Sequence, residues 1–172
     1  IFSRYVVAWM VAYRETAALA EKLLAAAIKN QGIAPGQLRV HADRGTSMTS
    51  KAVAQLFADL GVDKSHSRPH VSDDNPFSES QFKTLKYHPG FPDKFGSLND
   101  ALVHCRRFFR WYNHDHRHSG IAYCTPHDVH CGTATRVIEV RQKTLDAAFA
   151  AHPDRFRGRP PRANQLPTAV WI

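Results

Sequence analysis

Residues 35–67 read PGQLRVHADRGTSMTSKAVAQLFADLGVDKSHS, and three signals follow one another inside them. Pro35-Gly36 marks a turn, and the short strand after it finishes at Asp43. RGTSMTS is a loop in which Thr49 or Ser50 caps a helix. Val53, Leu56, Phe57 and Leu60 share one face of that helix, and Gly61 stops it. VDKSHS is a second short strand. Strand, helix and strand in this order predict an α/β layout with a partly parallel sheet. Functional groups in such sheets gather at the carboxyl ends of the strands, and Asp43 stands at one.

The flanks extend the pattern. YVVAWMVAY at 5–13 is β-branched and aromatic, and predicts a strand, half of a hairpin. Thr16 caps a helix over about 17–30, with Leu19, Leu23, Leu24, Ala27 and Ile28 on one face and Gly32 at its end. Downstream, the loop RPHVSDDN leads to a helix at about 76–87, with Asn75 at the N-cap and Pro76 at the first helical position. A long helix at about 97–114 carries Leu98, Leu102, Cys105, Phe109 and Tyr112 as its core stripe, with Arg106, Arg107 and Arg110 elsewhere on it. TPHDV predicts a short capped turn with Pro126 at its start, and another helix covers about 133–151. The final stretch, PDRFRGRPPRANQLPTAVWI, has no helical period and reads as an extended basic tail or a linker. The fold class expected is α/β, a mixed sheet flanked by helices.

The chain has 172 residues, enough for one domain with a tail, and 43% hydrophobic content, ordinary for a globular protein. Its formal net charge of +8 is not ordinary. Such a balance favours a polyanionic partner, nucleic acid ahead of membrane. The longest apolar run, 5–13, is too short to span a bilayer and ends at Arg14. Three cysteines form no disulfide pattern, so a cytoplasmic location is expected. No glycine-rich phosphate loop is present, and neither Ser47 nor Cys105 has an evident base partner.

The chemistry concentrates in SDDNPFSESQFKTLK at 72–86, and 35 residues separate Asp43 from Glu79. That spacing leaves room for a helix, a strand and a loop to bring the two carboxylates together. Hard divalent cations such as magnesium prefer carboxylate oxygens. Two ions about 4 Å apart can drive phosphoryl transfer, and such a pair usually needs about three acidic ligands. The plain reading is also open: Asp after a strand serves turns, and an acid near a helix start is favoured by the dipole. Asp73 and Asp74 read as capping residues. Lys83 and Lys86 share a helical face with Glu79, either as simple ion-pair partners or as contacts to phosphates. In CTPHDVHC at 124–131, Cys124, His127, His130 and Cys131 are zinc-type ligands, but adjacent His130 and Cys131 suit one tetrahedral ion poorly. His114, His116 and His118 do not all share a helical face, and read as a solvated helix end or phosphate contacts.

Five segments in order, IFSRYVVAW, HADRGTSMTS, SDDNPFSESQFKTLK, RWYNHDHRHSGI and TPHDVHCG, together resemble the transposases of bacterial insertion sequences, OrfB type, with a retroviral-integrase-like (DDE) core. The resemblance spans roughly residues 1–132. It implies a ribonuclease-H-like fold and a triad of two Asp and one Glu holding two Mg2+ or Mn2+ ions. Asp43 matches the second acid and Glu79 the third. The family's first acid directly precedes the IFSRY-like segment, so it and the first strand are expected to lie outside this chain, and the fragment alone is expected to be inactive. Glu15 and Glu21 are not expected to replace it. The implied activity is phosphodiester cleavage followed by strand transfer, with DNA (element ends and target) as partner and a homo-oligomer on paired ends. Lys83 and Lys86 are expected to position element DNA. Arg106, Arg110 and Arg117, together with the arginines at 107, 155, 157, 159 and 162, would face the DNA backbone. Trp111, Tyr112, Asn113, His116, Arg117 and His118 match the family's later block, for which aromatic packing is an equal reading. Residues 133–172 would form a C-terminal helix and basic tail. The rival readings are a ribonuclease-H-like nuclease without strand transfer and a truncated, inactive DNA-binding remnant. No membrane association is expected, and the location implied is the bacterial cytoplasm, at the nucleoid.

Overall fold

The computed structural model describes residues 1–68 and 74–171. The chain divides into two compact units: Val7–Arg106, and residues 1–6 with 107–171.

In the first unit, α1 (Ala17–Asn30) leads to β1 (Arg39–Ala42), α2 (Lys51–Asp59), β2 (Asp63–His66) and α3 (Pro76–Lys86). β1 and β2 pair in parallel, Arg39 opposite Asp63 and Ala42 opposite His66. The parallel sense follows from α2, which carries the chain back to the same end of the sheet. Ser50 caps α2, its side chain accepting the Val53 amide. Val53 and Phe57 are buried from α2, Ile28 from α1 and Ala42 from β1. Gly61 has φ +60°, and a Cβ there would come within 3.0 Å of Pro35. Its carbonyl accepts the Gly36 amide at 2.8 Å, so the turn before β1 and the stop of α2 form one contact that only glycine fits.

α4 (Leu98–His114) carries residues of both units. Cys105, Phe109 and Tyr112 of its expected stripe are buried, joined by Ala101 and Phe108. The second unit continues with α5 (Pro126–His130) and α6 (Ala134–Ala151). Thr125 and Asp128 form a reciprocal capping box on α5. Cys124, Ala134, Ile138 and Ala163 build this unit's core.

Two expectations are corrected. Residues 5–13 form no strand, and β1 and β2 are the only paired strands among the described residues. The Asn113 side chain supplies at Val6 the bonds a neighbouring strand would make. The Val6 amide donates to Asn113 Oδ1 at 2.9 Å, and Asn113 Nδ2 donates to the Val6 carbonyl at 3.0 Å. The last stretch is extended, as expected, but it is not a free tail. The Ala163 amide donates to Gln142 Oε1 at 2.8 Å, and Gln142 Nε2 donates to the Pro161 carbonyl at 3.1 Å. Ala163 and Leu166 then pack on the core beside α6. A proline-rich segment cannot satisfy its own backbone, and one glutamine does part of that work here.

Candidate active site

The first unit contains a groove of about 710 Å³. Its walls come from the C-terminal end of β1 (His41, Ala42, Asp43), the entry to α1 (Arg14 to Thr16) and the start of α3 (Asn75, Ser78). Each wall has a local cause. Thr16 Oγ1 accepts the Leu19 amide at 3.3 Å and fixes where α1 begins. His41 spans from Ser65 Oγ at 3.0 Å to Ser67 Oγ at 3.3 Å and ties β1 to β2 and the residue after it. His66 Nδ1 lies 2.9 Å from the Asp43 carbonyl, so a protonated Nδ1 there holds the backbone under the carboxylate.

Asp43 is exposed, and its Oδ1 accepts the Gly45 amide at 3.0 Å. Glu79 is exposed in the first turn of α3, one residue beyond the groove-lining Ser78. Lys83 and Lys86 follow in the last turns, both exposed. Lys86 Nζ lies 5.9 Å from the centre of the Tyr87 ring. The start of α3 is set by Arg68, whose guanidinium reaches both oxygens of Asp74 at 3.0 and 2.8 Å while its amide donates to Oδ2 at 2.7 Å. These bonds hold the Asp74 carboxyl down at about 2. Asp74 therefore serves as the anchor of the helix entry. Asp73 lies outside the described residues. Asn75 occupies the N-cap of α3, but its side chain makes no capping bond. It lines the groove instead.

Glu15, which the sequence reading set aside, belongs to this groove. A Cβ built on Gly45 would lie 3.0 Å from Asp43 Oδ1 and 3.9 Å from Glu15 Oε1. Two carboxylates thus flank one glycine. No periodicity or spacing signals this, because it depends on the path from residue 13 into α1. Among the described residues, no group of three or more His, Cys, Asp or Glu is arranged to hold a metal ion. The donors that are present, exposed carboxylate oxygens, are those a hard divalent cation takes.

Arg106 and Arg110 are exposed on α4. Arg117 is exposed in the second unit, and its Nη1 donates to the Tyr123 carbonyl at 3.3 Å. Of the block around residue 111, Tyr112 is buried, only 2% exposed, and burial pushes its hydroxyl up to about 12 against the opposing charge of Arg4. Asn113 is the clamp on Val6, a role its sequence position did not reveal. His118 packs edge-on against Tyr112 at 5.1 Å and against His116 at 4.4 Å. Burial, then the charges of His116 and Arg4, hold it down at about 4.

The four zinc-type ligands do not converge. Cys124 is fully buried in the core. Cys131 is exposed, 3.5 Å from His127 Nε2, while the His130 ring stacks on Tyr5 at 4.4 Å.

Charge is unevenly shared. Residues 1–6 and 107–171 hold eleven Lys and Arg against five Asp and Glu, a net +6 of the formal +8. The unit with the acidic groove is close to neutral. No helix among the described residues is long and apolar enough to cross a membrane.

Two family models, both described as integrase core domain, match residues 1–72 and 60–126. No curated protein matches significantly. Among solved structures, the catalytic core domain of BIV integrase is similar, with TM-score 0.51 and 21% identity, over 78% of this chain and 82% of that one. A chain in the structure of the simian T-cell lymphotropic virus intasome with PP2A regulatory subunit B56 gamma is similar with TM-score 0.51 and 20% identity over 69% of this chain. This chain spans 41% of that longer one. The fold is therefore α/β, a small sheet flanked by helices, similar to the ribonuclease-H-like integrase core. The matches support an integrase- or transposase-type family.

Proposed function

We propose that the chain is the core of a DNA transposase of the bacterial insertion-sequence OrfB type, a polynucleotidyl transferase that cleaves a phosphodiester at an element end and joins the freed strand to target DNA. The observation that carries this reading is that Asp43 and the first turn of α3 border one groove, with Lys83 and Lys86 further along the same helix. Asp43 and Glu79 would hold Mg2+ or Mn2+, and the bound ions supply activation of the attacking hydroxyl and stabilisation of the leaving oxygen. Lys83 and Lys86 hold phosphates of the element end. Arg106, Arg110 and Arg117 add backbone affinity that carries no sequence information. Residues 1–132 form the core in this reading and 133–172 its C-terminal extension. Paired element ends call for a homo-oligomer, by analogy with the family.

The test is a strand-transfer assay on labelled element-end DNA with manganese. It compares the 172-residue chain, a version extended at its N terminus by a strand ending in Asp, and Glu79→Gln in the extended version. Joined product in the extended protein, lost in Glu79→Gln, supports the assignment. Equal joining by both removes Glu79 from it. Cleavage without joining moves the reading to a ribonuclease-H-like nuclease. A folded extended protein with no activity and no divalent-dependent DNA binding is a remnant.

A further inference from the structure

The second unit displays an aromatic side chain on a strained turn. Ala122 and Tyr123 have φ of +57° and +55°, and neither is glycine. Two consecutive non-glycine residues in the left-handed region are costly and persist only where surrounding bonds over-determine them. Those bonds are present. Arg141 Nη1 donates to the Ala122 carbonyl at 2.6 Å and Nη2 to the Tyr123 carbonyl at 2.7 Å. The Tyr123 amide donates to the His118 carbonyl at 2.8 Å, and a bridge between His118 and Cys124 closes the loop. Sequence and clamp together spend conformational energy to hold a tyrosine that stays 50% exposed.

Tyr123 borders an open groove of about 610 Å³. Val140 and Leu145 of α6 give it apolar walls, and the docked C-terminal segment supplies Arg162 and Asn164 on the other side. Arg117 and Arg162, both exposed, also line it. The unit around it carries the net +6. A flat exposed ring beside apolar walls takes the face of a planar apolar group, and cations around it take anions. One polymer offers both at nucleotide spacing. In a duplex the base faces are already stacked on each other, so the ring can engage a base only where it is unpaired.

We propose that this groove binds unpaired nucleotides of single-stranded DNA, with Tyr123 stacked on a base and Arg117 and Arg162 on flanking phosphates. The site shares no lining residue with the groove of Asp43. It does not rest on the strand-transfer reading, and a chain that joins no DNA would still show it.

The experiment measures anisotropy of labelled dT20 and of a 20-bp duplex with the 172-residue chain, checking each variant by thermal melting. Tyr123→Asn keeps a residue tolerant of left-handed backbone and removes the ring. It is expected to weaken dT20 binding about tenfold while changing duplex binding less than about twofold. Tyr123→Trp is expected to restore dT20 binding, with indole fluorescence quenched beyond any quenching of Trp9, Trp111 and Trp171 in the unsubstituted chain. Arg162→Ala is expected to weaken both ligands and lower the salt slope by about 1. Equal loss for both DNAs in Tyr123→Asn, or no loss for either, overturns the proposal. So does displacement of dT20 by polyglutamate as effectively as by unlabelled dT20. Should Tyr123→Asn melt early, the Trp variant decides: quenching by dT20 beyond that of the unsubstituted chain supports the site, and no added quenching overturns it.

Discussion

At the scale of single residues, the site hangs on how little room Asp43 has. Its Oδ1 is held by the Gly45 amide, and a methyl group at Gly45 would sit 3.0 Å from that oxygen. Gly45→Ala is therefore expected to push the carboxylate off the Gly45 amide without strain in the backbone. Strand transfer in the N-terminally extended protein should fall by about tenfold, a loss of about 1.4 kcal/mol in transition-state stabilisation, while melting moves little. Unchanged joining in a variant that melts like the parent would show that the placement of Asp43 does not matter. Asp43 and Glu79 were legible as candidates because a strand end and a helix start are marked by local sequence. Glu15 was not, because a carboxylate that arrives through the turn into α1 leaves no periodic trace.

Elements show where local signals suffice and where partners decide. The first two helices were readable from apolar spacing and caps, Thr16 at α1 and Ser50 at α2. The run at 5–13 has strand propensity, yet a strand exists only through a neighbour, and at Val6 the bonding partner is a side chain. Asn113 is 7% exposed and makes both bonds. Asn113→Ala leaves a backbone donor and acceptor unpaired in a part-buried site, so the unit should lose about 2 kcal/mol, read by urea denaturation; a change under about 0.5 kcal/mol would mean water replaces the clamp. An imidazole of the same unit sets a pH dependence. His118 is held at about 4 by burial and by the charges of His116 and Arg4, with Tyr112 as its other ring neighbour. The unfolded chain takes up this proton near pH 6.5, whereas the folded unit does not. Its stability is thus full above pH 6.5 and falls as pH drops toward 4. His118→Gln removes the titrating group, so the drop in melting temperature between pH 7.5 and 5 should shrink. An unchanged drop would assign the acid sensitivity to other groups.

Across the whole molecule, the division of charge is the property that composition hinted at but could not locate. A net charge of +8 read from sequence points to a polyanion. Only the structure groups +6 of it with the C-terminal unit and leaves the acidic groove in a unit of +2. Carboxylates that bind divalent ions gain nothing from a strongly cationic surround, whereas backbone affinity scales with the phosphates contacted. In the proposed function, DNA affinity would then come mainly from the arginines of the second unit, and the carboxylates of the first would be left for metal ions. Arg155, Arg157 and Arg159 are exposed and just precede the docked segment at Ala163. Replacing all three by alanine should lower the slope of log affinity against log salt for duplex DNA by about 2 to 3, with melting unchanged. Replacing Lys83 and Lys86 should lower that slope less, yet reduce joining more, because those two charges lie on the helix that carries Glu79. If the pair of lysines instead dominates the salt slope, bulk DNA affinity resides beside the carboxylates, and the separation of charge from the candidate site has no consequence for binding.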